Sequence, residues 1–284
     1  MLTKNQPLLS NANSAALRDA RPSRPVDKLR LFPDGFMFSS EGIVSTTRRH
    51  AATILIALED APIEVEVEGQ VMHLHALALR PSVAKRLQAS HAPFACVDIA
   101  VNHPKYRCFR GIADAGCMPL PRECLADLLP AWRIFHAGSA TPGLISQLYR
   151  QTVELSASFL PAPCPLDKRV QQVVDLFGQS PGLDLEQMIS ATGLSRGRLS
   201  HLFSEQLGIS LRTYGLLCKM HEASLYHHSK KRLSQIAQAA GFADSAHFSK
   251  VWTQTFGRSP AYFFGSDSVQ LYGDAGPTLD SLHH

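Results

Sequence analysis

The sequence contains no run of eighteen apolar residues, so nothing in it reads as a membrane-spanning helix. Its six cysteines (Cys96, Cys108, Cys117, Cys124, Cys164 and Cys218) form no CxxC pair and have no zinc-like spacing. That excludes a zinc-finger framework and reads as plain thiols in a reducing compartment. There is no phosphate-binding Gly-rich loop, nucleophile triad or carboxylate pair, so the chain is not expected to be an enzyme or to need a cofactor. The first 25 residues, MLTKNQPLLSNANSAALRDARPSRP, lack the apolar stretch and cleavage site of an export signal. They are polar and rich in Ser and Asn, and the expectation is a disordered arm over residues 1–28 of a cytoplasmic protein. Charge is also scarce, at 18% of residues, and its distribution is uneven. Residues 165–265 hold 11 Lys/Arg against 7 Asp/Glu, whereas residues 266–284 hold three Asp and no Lys/Arg. The excess points to an anionic partner for the C-terminal part.

What is present divides into two differently patterned halves. The 284 residues, 45% of them apolar, can bury two cores. From about residue 31 to 110 the text is strand-like. In PIEVEVEGQVMHLHALALRP, Ile63, Val65 and Val67 alternate with Glu64, Glu66 and Glu68, a strand with one wet face. ATILIAL before it and APFACVDIAV after it read as more buried strands, and the series argues for a small antiparallel sandwich or barrel. The HLH at 73–75, with His50, His91 and His103 nearby in sequence, raises the question of a metal site. Met72 and Leu74 take the buried face, which turns His73 and His75 outward, and no acidic ligand follows, so no metal is expected.

After Pro121 the period changes. Leu125, Leu128, Leu129 and Trp132 fit one helix. Leu144, Leu148, Leu155 and Phe159, spaced 4, 7 and 4, fit a second with a coiled-coil-like seam, the expected site of homodimerisation. LPAPCP at 160–165 cannot be helix interior and marks a linker. The remainder is helical to about residue 264, and residues 266–284 read as a flexible tail.

The helical half contains an internal repeat. In GFADSAHFSKVWTQTFGRSPAYF (241–263), Phe248, Val251, Trp252 and Phe256 recur at helical spacing, and Ala246, Ser249, Lys250 and Thr253 form a slim opposite face. Leu185, Met188 and Gly193 match Leu233, Ile236 and Gly241 at an offset of 48. After one extra residue, Ser195, Leu199, Leu202 and Gly208 match Asp244, Phe248, Val251 and Gly257 at an offset of 49. Each copy reads as a helix, a Gly-containing turn and a second helix capped by Ser195 or Asp244, which is a helix-turn-helix. The second helix of such a unit enters the DNA major groove, about 12 Å wide, which favours small and basic outward residues. Between the copies SLRTYGLLCKMHEASLYHHS (210–229) predicts a bridging helix of about 30 Å, close to one turn of B-DNA.

Residues 168–264, and above all Gly241, Phe242, His247, Phe248, Phe256, Gly257, Pro260 and Tyr262, resemble the DNA-binding domain of the AraC/XylS family of bacterial transcription regulators. The bridging helix departs from that family's pattern at Lys219 and Met220, where an Arg-Leu pair is usual. The resemblance implies an α+β protein: a cupin-like sensory β-barrel with helices, then an all-α domain with two helix-turn-helix units and a bridging helix. It implies base-reading positions at Arg196, Gly197, Ser200 and His201 in the first unit and at Ser245, Ala246, Ser249 and Lys250 in the second. The expected division is a barrel over 29–120, a dimerisation segment over 121–160, a linker over 161–165 and a DNA-binding domain over 166–265. The implied function is that of a transcription activator, with double-stranded DNA, a small-molecule effector and RNA polymerase as partners. Two alternatives stand beside it: control by a protein partner, and a metal-binding cupin enzyme fused to a DNA-binding domain.

Overall fold

The computed structural model describes residues 26–89, 92–113, 115–179, 185–227, 229, 231–265 and 269–272. The arm expected over 1–28 lies outside the described residues except for its last three, as do His91 and the tail beyond residue 272. Nine strands come first: β1 (Asp27–Phe32), β2 (Gly35–Ser40), β3 (Ile43–Arg48), β4 (Ala52–Ala57), β5 (Ile63–Val67), β6 (Gln70–Leu74), β7 (Ala76–Leu79), β8 (Ala84–Ala89) and β9 (Phe94–Ile99). A short helix α1 (Tyr106–Arg110), strand β10 (Cys117–Pro119) and a 3-10 helix (Arg122–Leu128) lead into α2 (Leu129–His136) and α3 (Pro142–Ala157). Residues 161–167 have no regular structure. Then follow α4 (Lys168–Gln179), α5 (Leu185–Thr192), α6 (Arg196–Leu207), α7 (Leu211–Ser224), α8 (Leu233–Ala239), α9 (Ser245–Phe256), α10 (Pro260–Phe264) and a last strand β11 (Val269–Tyr272).

The strands form two sheets rather than a closed barrel. One has the order β10-β7-β4-β9-β2-β1-β11 and the other the order β3-β8-β5-β6. The expected barrel fails to close because the strands of the second sheet pair only among themselves. Strands β4 and β9 are buried at every position, as their mainly apolar text, interrupted by Thr53 and Asp98, suits a sheet covered on both faces. Strand β5 alternates, with Ile63, Val65 and Val67 inside.

One face of the large sheet, through Met37, Ile54, Ile56 and Val97, packs on Tyr106, Trp132, Phe135, Ile145 and Leu148. Trp132 Nε1 donates to Thr152 Oγ1 at 3.2 Å, so the indole is buried without an orphaned donor. This core runs on into α4–α6 through Val173, Phe177, Leu199 and Phe203. The opposite face, through Leu29, Leu55, Leu77 and Phe94, packs on the second sheet's Ile43, Val65 and Leu87, and that core runs on into α8–α10 through Ile236, Phe248 and Trp252. The two helix-turn-helix units therefore rest on different cores of one sheet domain.

Two expectations are corrected here. Residues 269–272, read as tail, form β11, which pairs in parallel with β1. Tyr272 stacks on Phe135 with ring centroids 5.1 Å apart, and Arg30 Nη1 donates to Tyr272 O at 2.9 Å. The expected dimer seam is not uncovered along its whole length either. Leu148 is 1% exposed inside the chain's own core and Leu144 is half-buried against it, while Leu155 and Phe159 are 40% and 48% exposed. The physical reason is that α3 centres its buried face on Ile145, Tyr149, Thr152 and Ser156, with the leucine stripe along its edge, so Leu148 in mid-helix is covered and Leu155, about two turns further on, is not. Leu148→Ala should therefore cost about 2–5 kcal/mol in chemical denaturation, and Leu155→Ala less than about 0.5 kcal/mol. Equal losses would contradict this orientation of α3.

Candidate nucleic-acid interface

Helices α6 and α9 are built alike. Ser195 caps α6 by accepting from the Arg198 amide at 3.4 Å, and Asp244 caps α9 by accepting from the His247 amide at 2.7 Å. Leu199, Phe203 and Leu207 bury one side of α6; Phe248 and Trp252 bury one side of α9. Each helix is preceded by a left-handed glycine, Gly193 (φ +65°) or Gly241 (φ +77°), and ended by another, Gly208 (φ +73°) or Gly257 (φ +72°).

All eight sequence-predicted positions fall on the uncovered side. Arg196, Gly197, His201, Ser245, Ala246 and Lys250 are exposed, and Ser200 and Ser249 are half-buried. Within each helix the four lie in the first six residues, so the structure gathers them into two patches, one at the N-terminal half of each helix. Arg196 lies 3.9 Å from Glu186 and His201 3.6 Å from Glu205, both as exposed pairs of little energetic weight. Among the described residues no carboxylate pairs with Lys250.

Helix α7 bridges the two units but is shorter than the expected 20 residues. It spans 14 residues, or about 21 Å, before turning at Leu225. Lys219 on α7 donates to the carbonyl of Gly241 at 2.7 Å, holding the turn of the second unit from the bridge. Gly215 presses close to Phe177, where an added Cβ would sit 3.4 Å from the ring.

Between the sheets and the helices lies a cavity of about 390 Å³. Leu29, Leu31, Phe36, Phe38 and Ile43 line it from the sheets; Tyr214, Leu217 and Met220 line it from α7, and Trp252, Phe256, Phe263 and Phe264 from α9 and α10. Its wall is mostly apolar, with Arg49, His50, Asp98 and His221 among the polar exceptions. Arg49 Nη1 donates to Asp98 Oδ2 at 2.9 Å, and Asp98 Oδ1 also accepts from Thr53 at 2.8 Å. Lys85, buried nearby, donates to Thr53 Oγ1 at 3.1 Å; burial first, and then the Arg49 charge, push its ammonium down to about 8. Burial also lowers the His50 and His221 imidazoles, so both favour the neutral form, and pushes the Cys96 thiol up to about 12. Trp252 Nε1 and Arg258 Nε, on residues of the cavity wall, are buried and have no hydrogen-bond acceptor among the described residues. Sequence reasoning missed this cavity because its lining comes from segments up to about 235 residues apart.

Among the described residues, the histidines considered for a metal do not gather into a group that could hold one. His73 lies 3.4 Å from Glu64, His75 Nε2 donates to the Asp60 carbonyl, and His103 lies 3.7 Å from Asp34.

Fold and site together define a protein with two helix-turn-helix units seated on a two-sheet domain. Residues 188–265 match the family described as "Helix-turn-helix domain", and this segment is a helix-turn-helix domain of the AraC type. The chain is 29% identical over 125 residues to the arabinose operon regulatory protein of Escherichia coli (strain K12), covering 42% of each chain. It is 31% identical over 88 residues to the Msm operon regulatory protein of Streptococcus mutans, covering 31% of each. The match thus spans less than half the length of these curated relatives. The fold resembles that of an apo ToxT variant from Vibrio cholerae strain SCE256, with a TM-score of 0.54 at 12% identity over 81% of this chain and 97% of that one. It also resembles ToxT from Vibrio cholerae O395 bound to (E)-4-(8-methylnaphthalen-1-yl)but-3-enoic acid, with a TM-score of 0.52 at 12% identity over 84% and 98%. At that identity the likeness is one of fold.

Proposed function

We propose that the protein is a sequence-specific transcription regulator, an activator, that reads double-stranded DNA with α6 and α9 under the control of a small molecule held in the cavity. The observation that carries this reading is the pairing of two capped helices whose uncovered N-terminal halves bear only small, polar or basic base-reading candidates. The relatives named as operon regulators support it. A position between the sheets and the second unit suits the cavity to an effector, and the Trp252 Nε1 and Arg258 Nε donors, without an acceptor among the described residues, suit an apolar molecule bearing an acceptor oxygen. The ToxT complex with an apolar butenoic acid supports that ligand class. Homodimerisation uses Leu155 on α3 and Phe159 just beyond its end, the exposed members of the expected seam, and RNA polymerase is the partner in activation.

Two measurements test this reading. Lys250→Ala should cost about 1–3 kcal/mol on the preferred DNA and relax preference at one base pair. A uniform loss across sequences, with the salt slope reduced by about one, would instead make Lys250 a phosphate contact. For the cavity, (E)-4-(8-methylnaphthalen-1-yl)but-3-enoic acid is the first probe. At a hundred times its Kd it should stabilise the chain by about 2.7 kcal/mol and alter DNA binding, and the same concentration should do both less in Trp252→Phe, which keeps an aromatic ring but removes the donor. If that probe and a panel of other apolar acids and ketones leave both stability and DNA binding unmoved, the cavity is not an effector site.

A further inference from the structure

Both recognition helices are gripped at their C-terminal ends by the sheet domain. The last carbonyls of an α-helix have no partner within it and carry the negative end of its dipole. At the end of α6, Arg110 Nη1 donates to the carbonyls of Glu205 (3.2 Å) and Gln206, and the buried Tyr106 hydroxyl lies 3.3 Å from the Leu207 carbonyl. At the end of α9, Arg49 Nε donates to the Thr255 carbonyl at 3.2 Å. Arg49 is itself fixed by Asp98 and by the Phe36 ring, 5.3 Å below its guanidinium. The glycines that close the helices are pressed against the same domain. A Cβ on Gly208 would sit 2.7 Å from Arg110 Nε, and one on Gly257 2.8 Å from Thr47 Cγ2.

The two grips are equivalent by position in the repeat but come from unrelated parts of the sheet domain: Arg110 closes α1 and Arg49 follows β3. They lie at the opposite end of each helix from the base-reading candidates, which occupy the first half. The sheet domain thus holds both helices without covering what they read with. Helix α7 is the other element that joins the two units, so two connections fix their separation.

Resting on the reading of α6 and α9 as DNA-reading helices, we infer that Arg49 and Arg110 are positioning residues for that reading: together they set the distance and angle between the two helices, and so the spacer the protein accepts between its two base-read segments. A one-base-pair change of spacer moves the second segment by about 3.4 Å and turns it by about a tenth of a helical turn, so a rigid pair discriminates strongly and a loosened pair does not. The cavity reaches only the Arg49 grip; none of its lining residues lies on α6.

The test uses the full chain. Selection from a random duplex pool should yield a bipartite site with one spacer length, and binding is then measured with the spacer lengthened or shortened by one base pair. The wild-type chain should discriminate against the altered spacers by about tenfold or more, the scale of one charge-assisted contact. Arg110→Ala and Arg49→Ala should each lose most of that discrimination while binding a single base-read segment as the wild type does. Arg110→Lys and Arg49→Lys, which keep the charge and a donor, should fall between and serve as the readout if an alanine variant does not fold. Unchanged spacer discrimination in folded variants overturns the positioning role. Selection of no bipartite site by the wild-type chain removes the DNA reading itself, and the inference with it.

Discussion

The structure depends on one constraint: the central strands of the large sheet are apolar on both faces and must be covered on both. Strands β4 and β9 have no position that tolerates water. One face takes α1–α3 and the other takes the four-stranded sheet. Neither cover is complete by itself, and each core continues into one helix-turn-helix unit. The helical half is therefore seated on the sheet domain at two places, rather than hung from it by a linker.

That seating explains why the two units, so alike in sequence, meet such different neighbours. Trp252 of the second unit packs among Phe248, Phe256, Phe263 and Phe264 and forms part of a cavity wall. Its counterpart in the first unit, Phe203, packs against Tyr214 in the core that α1–α3 share. A molecule entering the cavity would touch α9 and α10 directly and α6 not at all. On the proposed function, control through the cavity would act first on α9, with α6 following through α7.

Much of this was legible in the text because it is local. Strands β4, β5 and β9 follow from runs and alternations of five or six residues, and the caps Ser195 and Asp244 and the glycines Gly193 and Gly241 follow from turn chemistry. The repeat located the outward faces of α6 and α9 because a helix buries the positions its period assigns. What could not be read depends on partners distant in sequence. Leu148 and Leu155 share one periodic stripe, and only the docking of α3 decides which is core. Residues 269–272 carry no strand signal strong enough to stand without the edge of β1. Arg49 and Arg110 look like ordinary surface charges until the helix ends they cap, Thr255 and Gln206, are brought to them.

The central claim is that one copy of the chain uses both recognition helices at once. Its most direct test is major-groove guanine methylation protection on a selected site bound by the full chain. Two protected major-groove segments per copy, about 10 base pairs apart on one face of the duplex, are the predicted result. A single protected segment that survives replacement of Ser245, Ser249 and Lys250 by alanine would contradict it.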